Sequence, residues 1–235
     1  MKQATSVLIK LSGSFMRNKE HAISRHNLDD FAKQIKTLRA THRFGIVIGG
    51  GNLFQGNKQG VSDQIEPNTA HGIGMLATTI NALFVLDILK QNDIPTCLLT
   101  ARPMIDIGQP ITIQAITKAK QNNECIIFAG GTGNPFFTTD TAAVLRALQM
   151  KSSLIWKATN VDGVYTQDPA IDKNAIKLDS LNFDQALKNN LGIMDATAFA
   201  MAKAHNVTIH VFNAFAKNAF IKAGQDPSFV TVIKK

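Results

Sequence analysis

Residues 124–140 read ECIIFAGGTGNPFFTTD. Glu124–Ala129, apolar after its first residue, reads as a strand closed by Gly130 and Gly131, and a hydroxyl-rich stretch then leads into the helical period that begins at Thr139. A strand that lacks polar alternation has both faces covered, and the glycine-bearing turn into a helix is the unit of an open α/β sheet. The same grammar recurs outward in both directions. Residues 6–11 (SVLIKL) run into Ser12-Gly13, and residues 44–48 (FGIVI) run into Gly49-Gly50-Gly51. Residues 95–100 (PTCLLT) give a further strand, and residues 153–157 (SLIWK) run into Ala158-Thr159-Asn160.

Helical spacing lies between these runs. Leu28, Phe31, Ile35 and Leu38 follow Asn27, which the pattern marks as an N-cap; Leu76, Ile80, Leu83 and 86–88 give a helix apolar on most faces; 113–120 and 139–150 give two more, the second starting at Thr139 or Asp140. Residues 160–180, rich in Asp, Gly, Pro and Asn, read as a long loop, with Asx turns at Asp162-Gly163 and Asp172. Beyond it the pattern predicts helices over 183–189 and 195–205, a strand over 208–211, a helix over 214–223 and a last strand over 229–233. The reading is a three-layer α/β/α sandwich with a mostly parallel central sheet, in one domain over 1–235.

Bulk properties narrow the function classes. The 235 residues are 45% hydrophobic, enough for one substantial core, and carry a net charge of +8 with the basic residues spread along the chain. A diffuse positive field with a single Trp and a single Tyr fits small polyanions better than nucleic acid. The start of the chain lacks a signal-peptide h-region, and the uninterrupted apolar runs are shorter than a membrane crossing needs. The expectation is a cytoplasmic protein without a membrane partner. The only cysteines, Cys97 and Cys125, sit inside apolar runs as free thiols, and the six histidines form no HExxH. The chain contains no GxxxxGK[ST], no GxGxxG and no GxSxG.

Ligands of open parallel sheets bind beyond the carboxyl ends of the strands. Four of those ends here read Lys10-Leu11-Ser12-Gly13, Gly49-Gly50-Gly51-Asn52, Gly130-Gly131-Thr132-Gly133-Asn134-Pro135 and Lys157-Ala158-Thr159-Asn160. Glycines allow the backbone to approach a ligand closely, and main-chain amides with a helix start behind them cradle phosphate oxygens. Two lysines on the same edge suit a triphosphate, and phosphoryl transfer asks mainly for positioning and positive charge. Asp140, at a helix start, is either a cap or a carboxylate that orients the two lysines or the attacking nucleophile.

These residues resemble the bacterial uridylate (UMP) kinases of the amino acid kinase superfamily. The match runs through KLSG (10–13), VIGGGNLF (47–54), GMLAT (74–78), TGNPFFTTD (132–140), KATNVDGVYTQD (157–168) and Asp195 with Ala198. The resemblance implies a catalytic set of Lys10, Asp140 and Lys157. It implies ATP binding by Lys10, Leu11, Ser12, Gly13, Gly51, Thr159, Tyr165 and Asp168. It places UMP against Gly50, Thr132, Gly133, Asn134, Pro135, Phe136, Phe137, Thr138 and Thr139. Mg2+ would ride on the ATP phosphates without a dedicated protein site, and the subunits would form a homohexamer. Two positions depart from the family pattern: Gln55 stands where Arg is usual, and His71 where Asp is usual. Lys58 or His71 could supply the charge that the missing Arg removes.

Overall fold

The computed structural model describes residues 4–55, 64–167, 171–188 and 191–235. In chain order the elements are β1 (Thr5–Leu11), α1 (His26–Leu38), β2 (His42–Ile48), α2 (Pro67–Gln91), β3 (Thr96–Thr100), β4 (Gln109–Pro110), α3 (Ile113–Gln121), β5 (Cys125–Ala129), α4 (Thr139–Gln149) and β6 (Leu154–Thr159). There follow β7 (Val164–Tyr165), β8 (Lys177–Leu178), β9 (Ser180–Asn182), α5 (Phe183–Lys188), α6 (Ala196–Ala204), β10 (Thr208–Asn213), α7 (Ala219–Gln225) and β11 (Thr231–Lys234). One sheet takes nine strands in the order β4-β3-β5-β2-β1-β6-β10-β11-β9, and β10 with β11 is its only antiparallel pair among the described residues.

Both faces of that sheet are dry. In β1, Val7, Ile9 and Leu11 pack with Leu28 and Phe31 of α1, Ala82 and Val85 of α2 and Phe220 of α7. Leu8 points the other way, among Ala143 of α4, Ile116 of α3 and Phe199 of α6. Two-residue alternation sends neighbours to opposite cores, so each strand reads as continuously apolar. This is the three-layer sandwich expected from the sequence. It also fixes two polar side chains: Lys10 and Lys157 share the face of Leu8 and Ile155, the α4 side.

The sequence reading missed several boundaries. α1 begins at His26, and Asn27 is no cap: its amide donates to the Phe15 carbonyl at 3.1 Å. α2 starts nine residues before Leu76, because Glu66 caps it by accepting from the Thr69 amide at 3.2 Å and Pro67 opens its first turn. At 25 residues α2 is long and apolar enough to cross a membrane by length and composition, contrary to the run-length argument, yet its inner face is built into the core. The N-cap of α4 is Thr138, whose hydroxyl accepts from the Asp140 amide at 3.0 Å.

Residues 160–180 contain the β7–β8 hairpin where a loop was expected. Asp172 forms its expected turn, accepting from the Asn174 amide at 2.8 Å, but Asp162 accepts from the Tyr165 hydroxyl at 2.8 Å. α7 starts at Ala219, after a turn in which Asn218 is left-handed (φ 55°), and β11 starts at Thr231. β4 and β9 are short strands without an apolar run to announce them.

Candidate functional site

The carboxyl ends of β1, β2, β5 and β6 lie side by side, with β1 and β6 adjacent at the centre. Lys10 of β1 and Lys157 of β6 are register partners. Facing side chains on neighbouring strands stand about 5 Å apart at their origins, so the two lysines leave the sheet side by side. Asp140, in the first turn of α4, bridges them: its carboxylate is 3.0 Å from Lys10 Nζ and accepts from Lys157 Nζ at 2.8 and 2.9 Å. All three side chains are nearly buried, at 12, 16 and 9% exposure for Lys10, Asp140 and Lys157.

Two positive charges against one negative leave the cluster with an excess of +1. Burial, followed by the charge of Lys10, pushes the Lys157 ammonium down to about 8, and Asp140 only partly opposes this. Burial alone would push the Asp140 carboxyl up; Lys10 and then Lys157 outweigh it and hold it below its ordinary value. A buried cationic excess is expensive without an anion, and a polyphosphate supplies one.

Cavities open on both sides. One, of about 450 Å³, is lined by Gly50, Gly51, Gln55, His71, Thr132, Asn134, Phe137, Thr138 and Thr139, next to Asp140 in sequence. The other, of about 590 Å³, is lined by Lys157, Thr159, Val161, Tyr165 and the segment Leu191–Ile193. Backbone approaches close the rim between them. A Cβ on Gly13 would stand 2.7 Å from the Gly51 amide nitrogen, so the loops after β1 and β2 touch only because residue 13 is glycine.

The sequence model of the amino acid kinase family matches residues 5–213. The chain belongs to the amino acid kinase family. Within it, the chain is 41% identical over 231 residues to a uridylate kinase from Mycoplasma genitalium, covering 97% of this chain and 95% of that one. A uridylate kinase from Psychrobacter cryohalolentis is 40% identical over 220 residues, covering 92% and 90%. Among solved structures, UMP kinase from Ureaplasma parvum superposes with a TM-score of 0.94 at 34% identity over 99% of this chain and 100% of that one. UMP kinase from Bacillus anthracis gives 0.90 at 32% identity over 98% and 96%.

Measured against the sequence expectations, the fold of this amino acid kinase gathers most of the site residues. Lys10, Asp140 and Lys157 form one cluster, Thr159 and Tyr165 line the cavity beside Lys157, and Gly50, Thr132, Asn134, Phe137, Thr138 and Thr139 line the other. Gly51, assigned to ATP, lines the second group's cavity. Ser12 and Gly13 form the rim rather than either lining, the Ser12 hydroxyl lying 2.7 Å from that of Ser14, and Leu11, assigned to ATP, is fully buried in the core. Gly133, Pro135 and Phe136 stand outside the cavity wall. The Gly133 carbonyl accepts from Arg102 Nε at 2.9 Å, and Phe136, left-handed at φ 68°, sets its ring edge-on to His71 at 4.9 Å. Asp168, Lys58 and Asn189 lie outside the described residues. Gln55 turns its amide back onto the Gly51 carbonyl at 2.6 Å.

Asn81 escaped the sequence reading, and Thr78 and Asp195, quoted there as parts of the match, were given no role in it. Asn81 of α2 is fully buried; its amide donates to the Gly49 carbonyl at 2.8 Å and to Asn52 Oδ1 at 2.7 Å, anchoring the glycine loop. Thr78 accepts from the Gly130 amide at 3.1 Å. Asp195 caps α6 and accepts from the Thr138 and Thr141 hydroxyls at 2.5 and 2.9 Å, tying the mouth of one cavity to the chain that lines the other. A polar residue inside an otherwise apolar helix, as at Asn81, was the available signal.

Cys97 and Cys125 are free, as expected, and burial pushes their thiols up to about 12 and about 11, which makes them poor nucleophiles.

Proposed function

We propose that this chain transfers the γ-phosphoryl group of ATP to UMP, giving UDP and ADP. The observation that carries this reading is the Lys10–Asp140–Lys157 cluster with one cavity on each side of it. The names of the relatives support the acceptor. ATP takes the cavity of Thr159 and Tyr165, and UMP takes the cavity of Gly50 and Thr132–Thr139. An oxygen of the UMP phosphate, already anionic, attacks the γ-phosphorus as the bond to the bridging oxygen of ADP breaks. No phospho-enzyme forms, and the protein contributes position and charge.

Lys10 and Lys157 balance the negative charge on the moving group, and Asp140 holds both ammonium groups at the register the strands set. The residues fit a Mg2+ carried by ATP: Asp140, the one carboxylate at the cluster among the described residues, has its oxygens engaged by the two lysines. Bound in that way, the ion neutralises phosphate charge. The reading is tested by supplying MgATP with UMP, CMP, dTMP, AMP, glutamate or carbamate in turn and measuring ADP. UDP formation that favours UMP supports it, and turnover with glutamate or carbamate alone overturns it.

Lys157 sets an alkaline limit. With its pKa at about 8 in the nucleotide-free protein, kcat/KM for ATP falls as pH rises through about 8, approaching tenfold per pH unit. Stability responds in the opposite sense. The folded state binds this proton less tightly than the unfolded chain, whose ordinary lysine value is 10.5, so this group costs stability at neutral pH and the cost is relieved as pH rises from about 8 to 10.5. A pH–rate profile and thermal melts over the same range check both signs.

The assembly is a homo-oligomer in this proposal, in the cytoplasm. Leu76, Ile80, Leu83 and Phe84 lie along one face of α2 at 52, 50, 37 and 37% exposure, a contiguous apolar strip of the kind that subunits cover. Ile80→Asp is expected to reduce the mass measured by light scattering to that of a smaller assembly; an unchanged mass removes this face as the contact.

A further inference from the structure

Arg146 is unexplained by the proposed chemistry. It sits in the last turn of α4 at 4% exposure, no carboxylate pairs with it among the described residues, and its Nε has no partner. One Nη donates to Gln149 Oε1 at 2.7 Å, and the other donates to the Gly131 carbonyl at 2.8 Å. Gly131 belongs to the loop after β5 that lines the proposed acceptor cavity. Burial draws this guanidinium down to about 10. A buried guanidinium without a carboxylate is costly, so packing alone does not account for an arginine, and its two hydrogen bonds are what it gains there.

The peptide it touches is sterically open on its glycine side. Gly130, Gly131 and Gly133 all have positive φ (80°, 61° and 85°), and no atom lies within 4 Å of where a Cβ of Gly131 would be. A peptide unit that follows such a glycine turns with less steric hindrance on that side. Each of the neighbouring groups is separately fastened. The Gly130 amide is held by Thr78, the Gly130 carbonyl by the Gly133 amide and the Gly133 carbonyl by Arg102. The peptide joining Gly131 to Thr132 has only Arg146. In a trans peptide the carbonyl and the following N–H point in opposite directions. Arg146 draws the carbonyl into the interior, so the Thr132 N–H faces the other way. That N–H has no acceptor among the described residues, and Thr132 lines the cavity.

We propose that Arg146 is a positioning residue for acceptor selection: it latches the Gly131–Thr132 peptide so that the Thr132 N–H is presented to the C4 carbonyl oxygen of the pyrimidine base. A fixed N–H donates to the C4 carbonyl oxygen of uracil and opposes the exocyclic amine that cytosine carries in its place, and a site built around such a bond discriminates far better than an apolar one. The inference rests on the assignment of UMP to this cavity.

Arg146→Met and Arg146→Lys test it with kinetics, thermal melts and amide exchange. Met keeps the packing and removes the fork; Lys keeps the charge and removes the fork. Both variants are expected to raise KM for UMP about tenfold, the scale of one lost hydrogen bond, and to lower the UMP-over-CMP ratio of kcat/KM, with KM for ATP within about twofold of the parent. Amide exchange over residues 130–137 should accelerate in both, with β1 unchanged. A Met variant that melts lower while keeping UMP affinity, selectivity and loop exchange overturns the proposal in favour of a packing role. Full rescue by Lys overturns it in favour of charge alone. If the parent protein does not phosphorylate UMP, the functional reading fails, and the exchange comparison still decides whether Arg146 fixes the loop.

Discussion

Lys10→Ala lowers kcat by about 10²–10³ while the protein melts at or above the temperature of the parent. The first half follows from losing a preorganised cation aimed at charge that develops during transfer, worth about 3–4 kcal/mol in a water-poor site. The second half follows from charge count. Lys10 and Lys157 are strand-register partners that share one carboxylate, so removing Lys10 leaves Asp140 and Lys157 as a balanced buried pair and ends a repulsion between ammonium groups. It also removes the second-largest influence holding the Lys157 pKa down, the charge of Lys10, so the alkaline limit of the residual activity shifts upward from about 8. Steady-state kinetics, a pH–rate profile and a thermal melt on one preparation measure all three. A variant with near-parental kcat removes Lys10 from the chemistry.

Asp140→Ala is expected to lose activity and stability together, which separates it from Lys10→Ala. Two ammonium groups then face each other at 12 and 9% exposure with no counter-charge, and deleting one partner of a buried ionic cluster costs about 3–5 kcal/mol. Lys157, already drawn down to about 8, also loses the group that raised it and gives up its proton near neutral pH, so catalysis falls by at least as much as in Lys10→Ala. The stability deficit carries a sign. Folded lysines that bind protons less tightly than unfolded ones gain stability as pH rises, so the gap in melting temperature between variant and parent narrows from pH 7 to 10. Adding Lys10→Ala to Asp140→Ala restores part of the lost stability, because the repulsion is then gone. A deficit that stays constant with pH in the single variant, and no recovery in the double, rules out the shared-carboxylate account.

The chemistry of the strand ends was written locally. KLSG, GGGN, GGTGN and KATN each carry their glycines, hydroxyls or lysine within a few residues of an apolar run, and open sheets place such ends at one edge. The Lys10–Lys157 meeting could be anticipated as residue types at one rim, but their pairing is a matter of register between strands 147 positions apart, which periodicity does not encode. Asp140 illustrates the ambiguity: from sequence it is a cap or an orienting carboxylate, and the structure gives the cap to Thr138 and the carboxylate to the lysines.

The sequence by itself determined the layer architecture, because an apolar run with no polar alternation has to be buried on both faces, and it determined which strand ends carry phosphate-binding chemistry, because glycine, lysine and hydroxyl positions are local facts. Tertiary structure alone decided the rest. It set the +1 excess of the buried cluster, the division of the loops between two cavities, and the hold of Asn81, Thr78, Asp195 and Arg146 on those loops. Each of these depends on a contact between residues distant in the chain, and the free energy of such a contact comes from burial and geometry that exist only once the sheet has assembled.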